Sequence, residues 1–473
     1  MAGIDTRIVI IGLPTIAQQL GADLESIIWV TQAYVLASTI GLLLIGRVTD
    51  VIGRVKIYNL GFAVFTIGSA LSAFSFTPIE LIASRVVQGV GSSMLITNSA
   101  AILTDASPKR ELGTMLGINQ IAFRVGSVMG LTLSGIIIAI ADWRALFYIN
   151  IPIGIFGTIW AHVRLREIAT KDVSSKMDWL GFALFTSGLT IFLASITLLS
   201  YGLSDYLIGS ILVVLSFALL VGFVQVEIKR KSPLLDLSLF KIREFAAGNL
   251  AQILNALAWS GVILITSFYL QEVLGDSPLV AGLSILPLDA TFVIAGPLSG
   301  KLSDKYGPQL FSTAGLAISS VGFFLLTTVS STTSYLLLAL VFSLLGVGNG
   351  MFVSPNISAI MGSVPPNRRG IASAFRATTF NVGITASYGI AILLVSIVVP
   401  YHTMTDLIQG ILPTASNLTL AREQFLGGFR IAVFVLAVVN TLGIIPSALR
   451  GTRKIETTSE MRAEEAQEGG IAE

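Results

Sequence analysis

The stretch Gly46-Arg-Val-Thr-Asp50-Val-Ile-Gly53-Arg54-Val-Lys56 returns farther along the chain as Gly300-Lys-Leu-Ser-Asp304-Lys-Tyr-Gly307-Pro308. Gly, Asp and Gly recur at an offset of 254 residues. A second pair, Phe123-Arg-Val-Gly126 and Phe380-Asn-Val-Gly383, recurs at 257, as do Gly113 and Gly370. Self-similarity at a fixed offset marks a chain assembled from two related units. What surrounds each copy decides what those units are.

On both sides of each copy lie long apolar runs. A helix needs roughly 20 mostly apolar residues to cross a hydrocarbon core about 30 Å thick. Fourteen stretches qualify as candidates. The first seven run from Met1 to Leu20, Ser26 to Gly46, Ile57 to Phe76, Ile79 to Leu103, Leu112 to Ile140, Ala145 to Val163 and Trp179 to Leu199. The second seven run from Tyr206 to Val226, Phe245 to Leu270, Pro278 to Leu298, Leu310 to Val329, Tyr335 to Met361, Gly370 to Val399 and Phe425 to Leu449. Composition agrees: the 473 residues are 53% hydrophobic and 12% charged, about half the ~25% charge of soluble proteins. The expected fold is an all-α integral membrane protein. It has two pseudo-symmetric six-helix bundles, residues 1–166 and 232–450, with two additional central helices in 167–231 and a tail at 451–473.

Basic residues orient this layout, because short cytoplasmic loops are enriched in Lys and Arg. With a cytoplasmic amino terminus, 22 of the 29 basic residues fall in inside loops or the tail, Arg144 and Arg422 fall outside, and Arg430 lies near the outer end of the last span. Both termini are thus expected in the cytoplasm, with the protein in the plasma membrane. The external segment Pro400 to Gln424 and the tail read as surface or disordered elements. The first span reads as cut short, since Asp5 follows Met1 by only about 6 Å of helix.

Several function classes drop out. A formal net charge of +2 advertises no nucleic-acid partner. Zero cysteines exclude thiolate catalysis and Cys-ligated metals, and two histidines without a paired spacing leave a metal site unsupported. Gly296-Pro-Leu-Ser-Gly300-Lys301-Leu302 is one residue short of a phosphate loop and ends in Leu where a magnesium ligand belongs. No enzyme site and no cofactor are expected. Repeats of this kind are common in transporters, which carry substrate between their halves.

At these residues the chain resembles the major facilitator superfamily, and within it the fourteen-span drug:proton antiporter branch. The loop signature Gly-x-x-x-Asp-x-x-Gly-Arg-x-Lys is met at Gly46, Asp50, Gly53, Arg54 and Lys56. Span 4 carries Arg85-x-x-Gln88-Gly89-x-Gly91, span 1 a branch-like Ile4-Asp5-Thr-Arg7 run ending at Pro14, and span 6 opens with Asp142-Trp143-Arg144. Span 5 keeps Gly117, Gly126 and Gly130 but has Gly130-Leu131 and Ser134-Gly135 where the signature has Gly-Pro and Gly-Gly. Arg7 stands where the branch has Thr, and Ile10 where it has Asn. The resemblance implies a multidrug efflux transporter that exchanges protons for small organic compounds.

Ionisable side chains inside a span are costly and mark substrate or proton paths. Asp5, the acid of the branch's span 1 element, and Asp289 are the proton-coupling candidates. Asp5 and Arg7 point to nearly opposite sides of their helix, so each needs another partner. Arg85 and Gln88 share one polar face of helix 4, and Gln120 and Arg124 one face of helix 5. With Arg7, Arg376 and Asn381 they are the substrate-cavity candidates, Arg85 and Arg124 having the alternative role of clamps on helix carbonyls. Gly126, Gly130 and Ser134 form a small-residue ridge for helix packing. The loops at Gly46, Asp50, Gly53 and Arg54 and at Gly300, Asp304 and Gly307 read as gates. The working expectation is a monomeric, proton-coupled exporter of drugs or other amphipathic compounds. An importer or exchanger of an anionic metabolite and a non-transporting receptor are the alternatives.

Overall fold

The computed structural model describes residues 1–106, 112–167, 178–200, 206–230, 234–235, 237–365, 368–411 and 415–451. Among them every regular element is helical. The first eight helices are α1 (Ala2–Ile8), α2 (Leu13–Leu20), α3 (Leu24–Ile52), α4 (Arg54–Ala73), α5 (Pro78–Ala106), α6 (Leu112–Ile140), α7 (Ala145–Tyr148) and α8 (Asn150–Arg164). A hairpin follows, α9 (Trp179–Ser200) and α10 (Tyr206–Lys229). Then come α11 (Arg243–Phe268), α12 (Pro278–Ser284), α13 (Leu286–Tyr306), α14 (Pro308–Leu326), α15 (Tyr335–Gly362), α16 (Arg369–Ser396), α17 (Tyr401–Gln409), α18 (Ala415–Leu442) and α19 (Ile444–Leu449).

Twelve helical stretches are long and apolar enough to cross a membrane. They coincide with the second, third, fourth and sixth to fourteenth expected spans. The expectation was fourteen, and the other two segments fall short for different reasons. The first is broken: α1 and α2 have 7 and 8 residues and are joined by a 3-10 turn at Ile10–Gly12. The fifth, α6, has 29 residues, but its described apolar stretch is limited to Val125–Ile140.

Local chemistry sets many boundaries. Asp23 caps α3 by accepting from the Ser26 N–H at 3.0 Å, and Ser277 caps α12 through the Val280 N–H. Proline opens α2, α12, α13 and α14, where its missing N–H costs nothing. The repeated loop glycines have a backbone reason. Gly53 has φ +119° between α3 and α4, and Gly307 has φ +88° between α13 and α14. A side chain is disfavoured there, so the second Gly of each repeat is a turn requirement.

In the amino-terminal half α3 and α4 pack on α5, α1 on α6, and α4 on α8. In the carboxy-terminal half α13 and α14 pack on α15, and α11 packs on α16 and α18. The halves meet along α3 with α16 and α6 with α12, and α9 leans on α3 and α16. Close approach is achieved at α6 and α12, where a Cβ on Gly135 would meet the Gly282 Cα at 3.2 Å. Large apolar side chains remain exposed on the periphery, including Ile67, Phe76, Leu207, Val214 and Leu336, as a lipid-facing surface requires.

Candidate functional site

Asp5 sits in α1 with no solvent exposure. Its Oδ2 accepts from Arg85 Nη1 at 2.6 Å, and its Oδ1 accepts from Gln88 Nε2 at 2.8 Å and from Asn150 Nδ2 at 3.0 Å. Arg85 also donates to Gln88 Oε1 at 2.5 Å and through Nε to the Val30 carbonyl at 3.1 Å. Its guanidinium lies 4.2 Å from the Tyr34 ring centroid, a favourable stacking geometry for a cation. Gln88 completes its bonding on Ser69 Oγ at 2.6 Å. The arrangement draws on α1, α3, α4, α5 and α8 and is a closed, charge-neutral network inside one half.

That geometry changes the reading of helix 4. The polar face of α5 does not stand as an open cavity wall; Asp5, Asn150 and Tyr34 cover Arg85 and Gln88, which are 1% and 0% exposed. Tyr34, Ser69 and Asn150 were not singled out from the sequence. Asn150 could have been found, since a buried amide beside an unpaired acid is a ready donor.

Asp289 is placed differently. It lies in the first turn of α13, immediately after the break at Ile285 that separates α12 from α13. Its relative exposure is 2%, and neither carboxylate oxygen has a hydrogen-bond partner. Arg7 of α1 is the charged group that acts on it, and the Thr132 hydroxyl lies beside it without completing a hydrogen bond. Arg7 is half-buried and also acts on Tyr388 of α16. Among the described residues no ion pair or hydrogen bond joins Arg7, Thr132, Asp289 and Tyr388; Arg7 acts on Asp289 and Tyr388 only through its long-range field. Gln32 of α3 adds a fully buried amide with both polar atoms unpaired, beside Gly389 of α16.

Arg376 is held within the carboxy-terminal half. Its carbonyl accepts from Gln252 Nε2 at 2.9 Å, its Nη1 donates to Gln252 Oε1 at 3.4 Å, and its Nε is unpaired. Asn381 is half-buried one turn on, where its carbonyl accepts from Thr385. The side chains of Asp50, Gln120 and Arg124 lie outside the described residues.

Of the gating residues, Arg54 reaches Asp105 at the end of α5, Nη1 to Oδ1 2.5 Å. Glu167 accepts from the backbone N–H groups of Arg54 and Val55, both at 3.0 Å, which compensates the free amides opening α4. Contrary to expectation Gly46, Asp50, Gly300 and Asp304 are not in loops: α3 runs through the first pair and α13 through the second, and only Gly53 and Gly307 make the turns. Gly46 faces open space, whereas a Cβ on Gly300 would meet Ser354 Oγ at 2.7 Å. Asp304 is exposed. Of the ridge, Gly126 and Gly130 face α1, where a Cβ would meet Ile4 Cγ1 at 3.3 Å and the Ile4 carbonyl oxygen at 2.6 Å respectively. Ser134 is fully buried with its hydroxyl unpaired.

Among the described residues, the hydrogen bonds joining the halves gather at one end. Gln409 Nε2 donates to the Ala22 carbonyl at 2.9 Å and Gln18 Nε2 to the Ile408 carbonyl at 3.3 Å. The Tyr401 hydroxyl donates to Asp23 Oδ2 at 3.2 Å and accepts from the Glu25 N–H at 3.1 Å. Deeper in, Ser267 Oγ and Gln271 Nε2 donate to the carbonyls of Ile10 and Ile11 at 3.2 and 3.1 Å. These carbonyls lie at the 3-10 interruption, which frees them from the α-helical pattern. Residues 400–411 are thus not a disordered surface element as expected: α17 buries Met404, Leu407 and Ile408 and straps the halves together.

The chain has relatives that match this architecture. The Major Facilitator Superfamily profile matches residues 1–388 and 248–459. The riboflavin transporter RibZ of Clostridioides difficile is 31% identical, with 81% of this chain and 82% of the relative covered. The multidrug transporter protein MdtP of Bacillus subtilis is 28% identical over 83% of this chain and 72% of its own. The multidrug resistance protein Stp of Mycobacterium tuberculosis is 26% identical over 94% and 89%. Among solved structures, an inward-facing, occupied bacterial homologue of the human lysosomal transporter Spinster superposes with a TM-score of 0.66 at 15% identity, covering 95% of this chain and 93% of that one. Helical architecture, multi-pass character and profile agree: the chain belongs to the Major Facilitator Superfamily, a family of membrane transporters and not of enzymes.

Proposed function

We propose that this transporter exports drugs or other amphipathic small organic compounds in exchange for protons, by alternating access, as a monomer of the fourteen-span antiporter branch. The observation that carries the reading is that two carboxylates, Asp5 and Asp289, are fully buried in the transmembrane interior. Buried ionisable groups of this kind are retained at a cost and serve proton or ion paths. Relatives named for multidrug transport and multidrug resistance support the substrate class.

Alternating access follows from the one-sided closure. The strapped end, with residues 21–25 and 400–411, is the exterior if both termini are cytoplasmic, so the conformation is inward-facing in the plasma membrane. The two six-helix bundles, 1–166 and 232–450, then rock about the site between them, with the helices of 167–231 as an added flank. The Arg54–Asp105 pair and the ends of α3 and α13 that carry Gly46 and Gly300 serve as the inner gate.

Proteoliposomes test the reading. Accumulation of a drug panel and of riboflavin is measured with and without an imposed pH gradient and with a protonophore. Gradient-dependent, protonophore-sensitive accumulation supports it. Accumulation that ignores the gradient refutes proton coupling, and binding without accumulation refutes transport.

A further inference from the structure

We infer that a groove between α13, α14 and α15 binds one anionic phospholipid, an acyl chain lying in the groove and the phosphate meeting Lys301 and Lys305. The site holds whichever compound the transporter carries. It takes from the reading above only that the Tyr306 end of α13 faces the cytoplasm.

The groove has a volume of about 270 Å³ and runs along α13 from Thr291 to Leu302, with Phe311 of α14 and Met351 of α15 opposite. Two hydroxyls line it, and both are spent on backbone. Thr291 Oγ1 donates to the Pro287 carbonyl at 2.8 Å, and Ser299 Oγ to the Gly296 carbonyl at 3.0 Å. What remains of the wall is hydrocarbon and thioether, which offers water no hydrogen bond and favours an apolar occupant. Ile294 and Leu298, also in the lining, are 67% and 58% exposed, so the groove opens toward the bilayer.

Its length fits one leaflet. Thr291 to Leu302 spans eleven helical steps, about 16 Å at ~1.5 Å per residue. One leaflet's share of a ~30 Å hydrocarbon core is about 15 Å. The groove occupies the Tyr306 half of the span Pro278–Tyr306, which places it in the cytoplasmic leaflet.

The mouth selects the headgroup. Lys301 follows Ile294 by seven residues and Lys305 follows Leu298 by seven, so each lysine continues the face of a groove residue about two turns on. Both are exposed, and among the described residues neither forms an ion pair. Lys305 Nζ lies 5.2 Å from the ring centroid of Tyr306, an aromatic of the kind that sits at headgroup level. Asp304 follows Pro297 by seven residues, on a face that lines no part of the groove. The facing helices α14 and α15 carry no acid. Two lysines at the cytoplasmic surface attract anionic headgroups, whereas a choline headgroup would bring its own cation against them. A lipid seated here joins α13 to α15 and stabilises the folded half by mass action.

The test counts lipid. The full chain in detergent is titrated with phosphatidylglycerol and, separately, with phosphatidylcholine of the same chains, and retained lipid is read by native mass spectrometry. The parent is expected to retain one phosphatidylglycerol in preference to phosphatidylcholine, as is Lys229→Gln, which removes an exposed lysine of α10. The double variant Lys301→Gln, Lys305→Gln should weaken retention about tenfold or more, and Ser299→Trp, which fills the groove, should abolish it. A second measurement needs no variant. Phosphatidylglycerol carrying a diazirine in mid-chain is photolysed in proteoliposomes of the parent, and its attachment is expected on α13 and α15 along the groove. Undiminished retention in the double lysine variant, no preference over phosphatidylcholine in the parent, or photolabel without enrichment on α13 and α15 overturns the inference.

Discussion

Asp5 and Arg85, eighty residues apart in sequence, meet at 2.6 Å with neither side chain measurably open to solvent. This pair fixes α1 against α5 in a half whose first segment is too broken to hold itself as one helix. Removing one partner strands the other charge in a medium that cannot solvate it. Asp5→Asn is expected to cost about 3–5 kcal/mol, read as a fall in the detergent-solubilised melting temperature. Asp5→Asn combined with Arg85→Met should recover much of the loss, since a neutral buried pair is tolerated better than one stranded charge.

The strap of α17 predicts a lock. Ala22→Cys with Gln409→Cys, at positions now joined by a 2.9 Å hydrogen bond from the Gln409 side chain to the Ala22 carbonyl, should cross-link under mild oxidant without competing thiols. Cross-linked protein is expected to bind substrate from the open end and to cease turnover, with activity restored by reductant. Undiminished transport by the cross-linked form would mean that this end never opens.

Tyr401 sets the pH range of that strap. Burial, with Asp23 and Glu25 close by, holds its phenol above the ordinary tyrosine range. Its folded pKa is raised, so the stability it confers is complete below the unfolded value of ~10 and is lost as pH rises through the folded one. Hydrogen exchange in residues 401–409 should stay slow through neutral pH and quicken only in alkali, and Tyr401→Phe should quicken it at all pH values.

The glycine ridge predicts a steric outcome. A Cβ at Gly130 would lie 2.6 Å from the Ile4 carbonyl oxygen, a backbone atom that cannot rotate away. Gly130→Ala is expected to separate α1 from α6 at a cost of about 1–3 kcal/mol. Gly46→Ala, which lies inside α3 and faces open space here, should leave the melting temperature unchanged or slightly raised. If this end of α3 gates the inner side, the substitution should slow turnover by hindering the opposite conformation.

The helical architecture was legible because its signals are local: apolar runs of fixed length, prolines at helix starts, and glycines where φ is positive at Gly53 and Gly307. The interruption at Ile10–Gly12 was hidden because Val9 to Leu13 is apolar throughout, and its freed carbonyls are satisfied by Ser267 and Gln271 from far along the chain. The partners of Asp5 were equally non-local, on α5 and α8. The docking of α17 had a missed signal, apolar Met404, Leu407 and Ile408 at helical spacing, masked by the polar residues around them. Asp289 was visible as an acid in a span, but its lack of partners is a property of packing.

The most direct measurement uses proteoliposomes loaded with a pH-sensitive dye and given a gradient of transported compound with no imposed pH difference. The account predicts that protons move opposite to the compound, that the protonophore-corrected signal scales with flux, and that Asp289→Asn carries compound without moving protons. Compound flux in the parent protein with a static internal pH would contradict it.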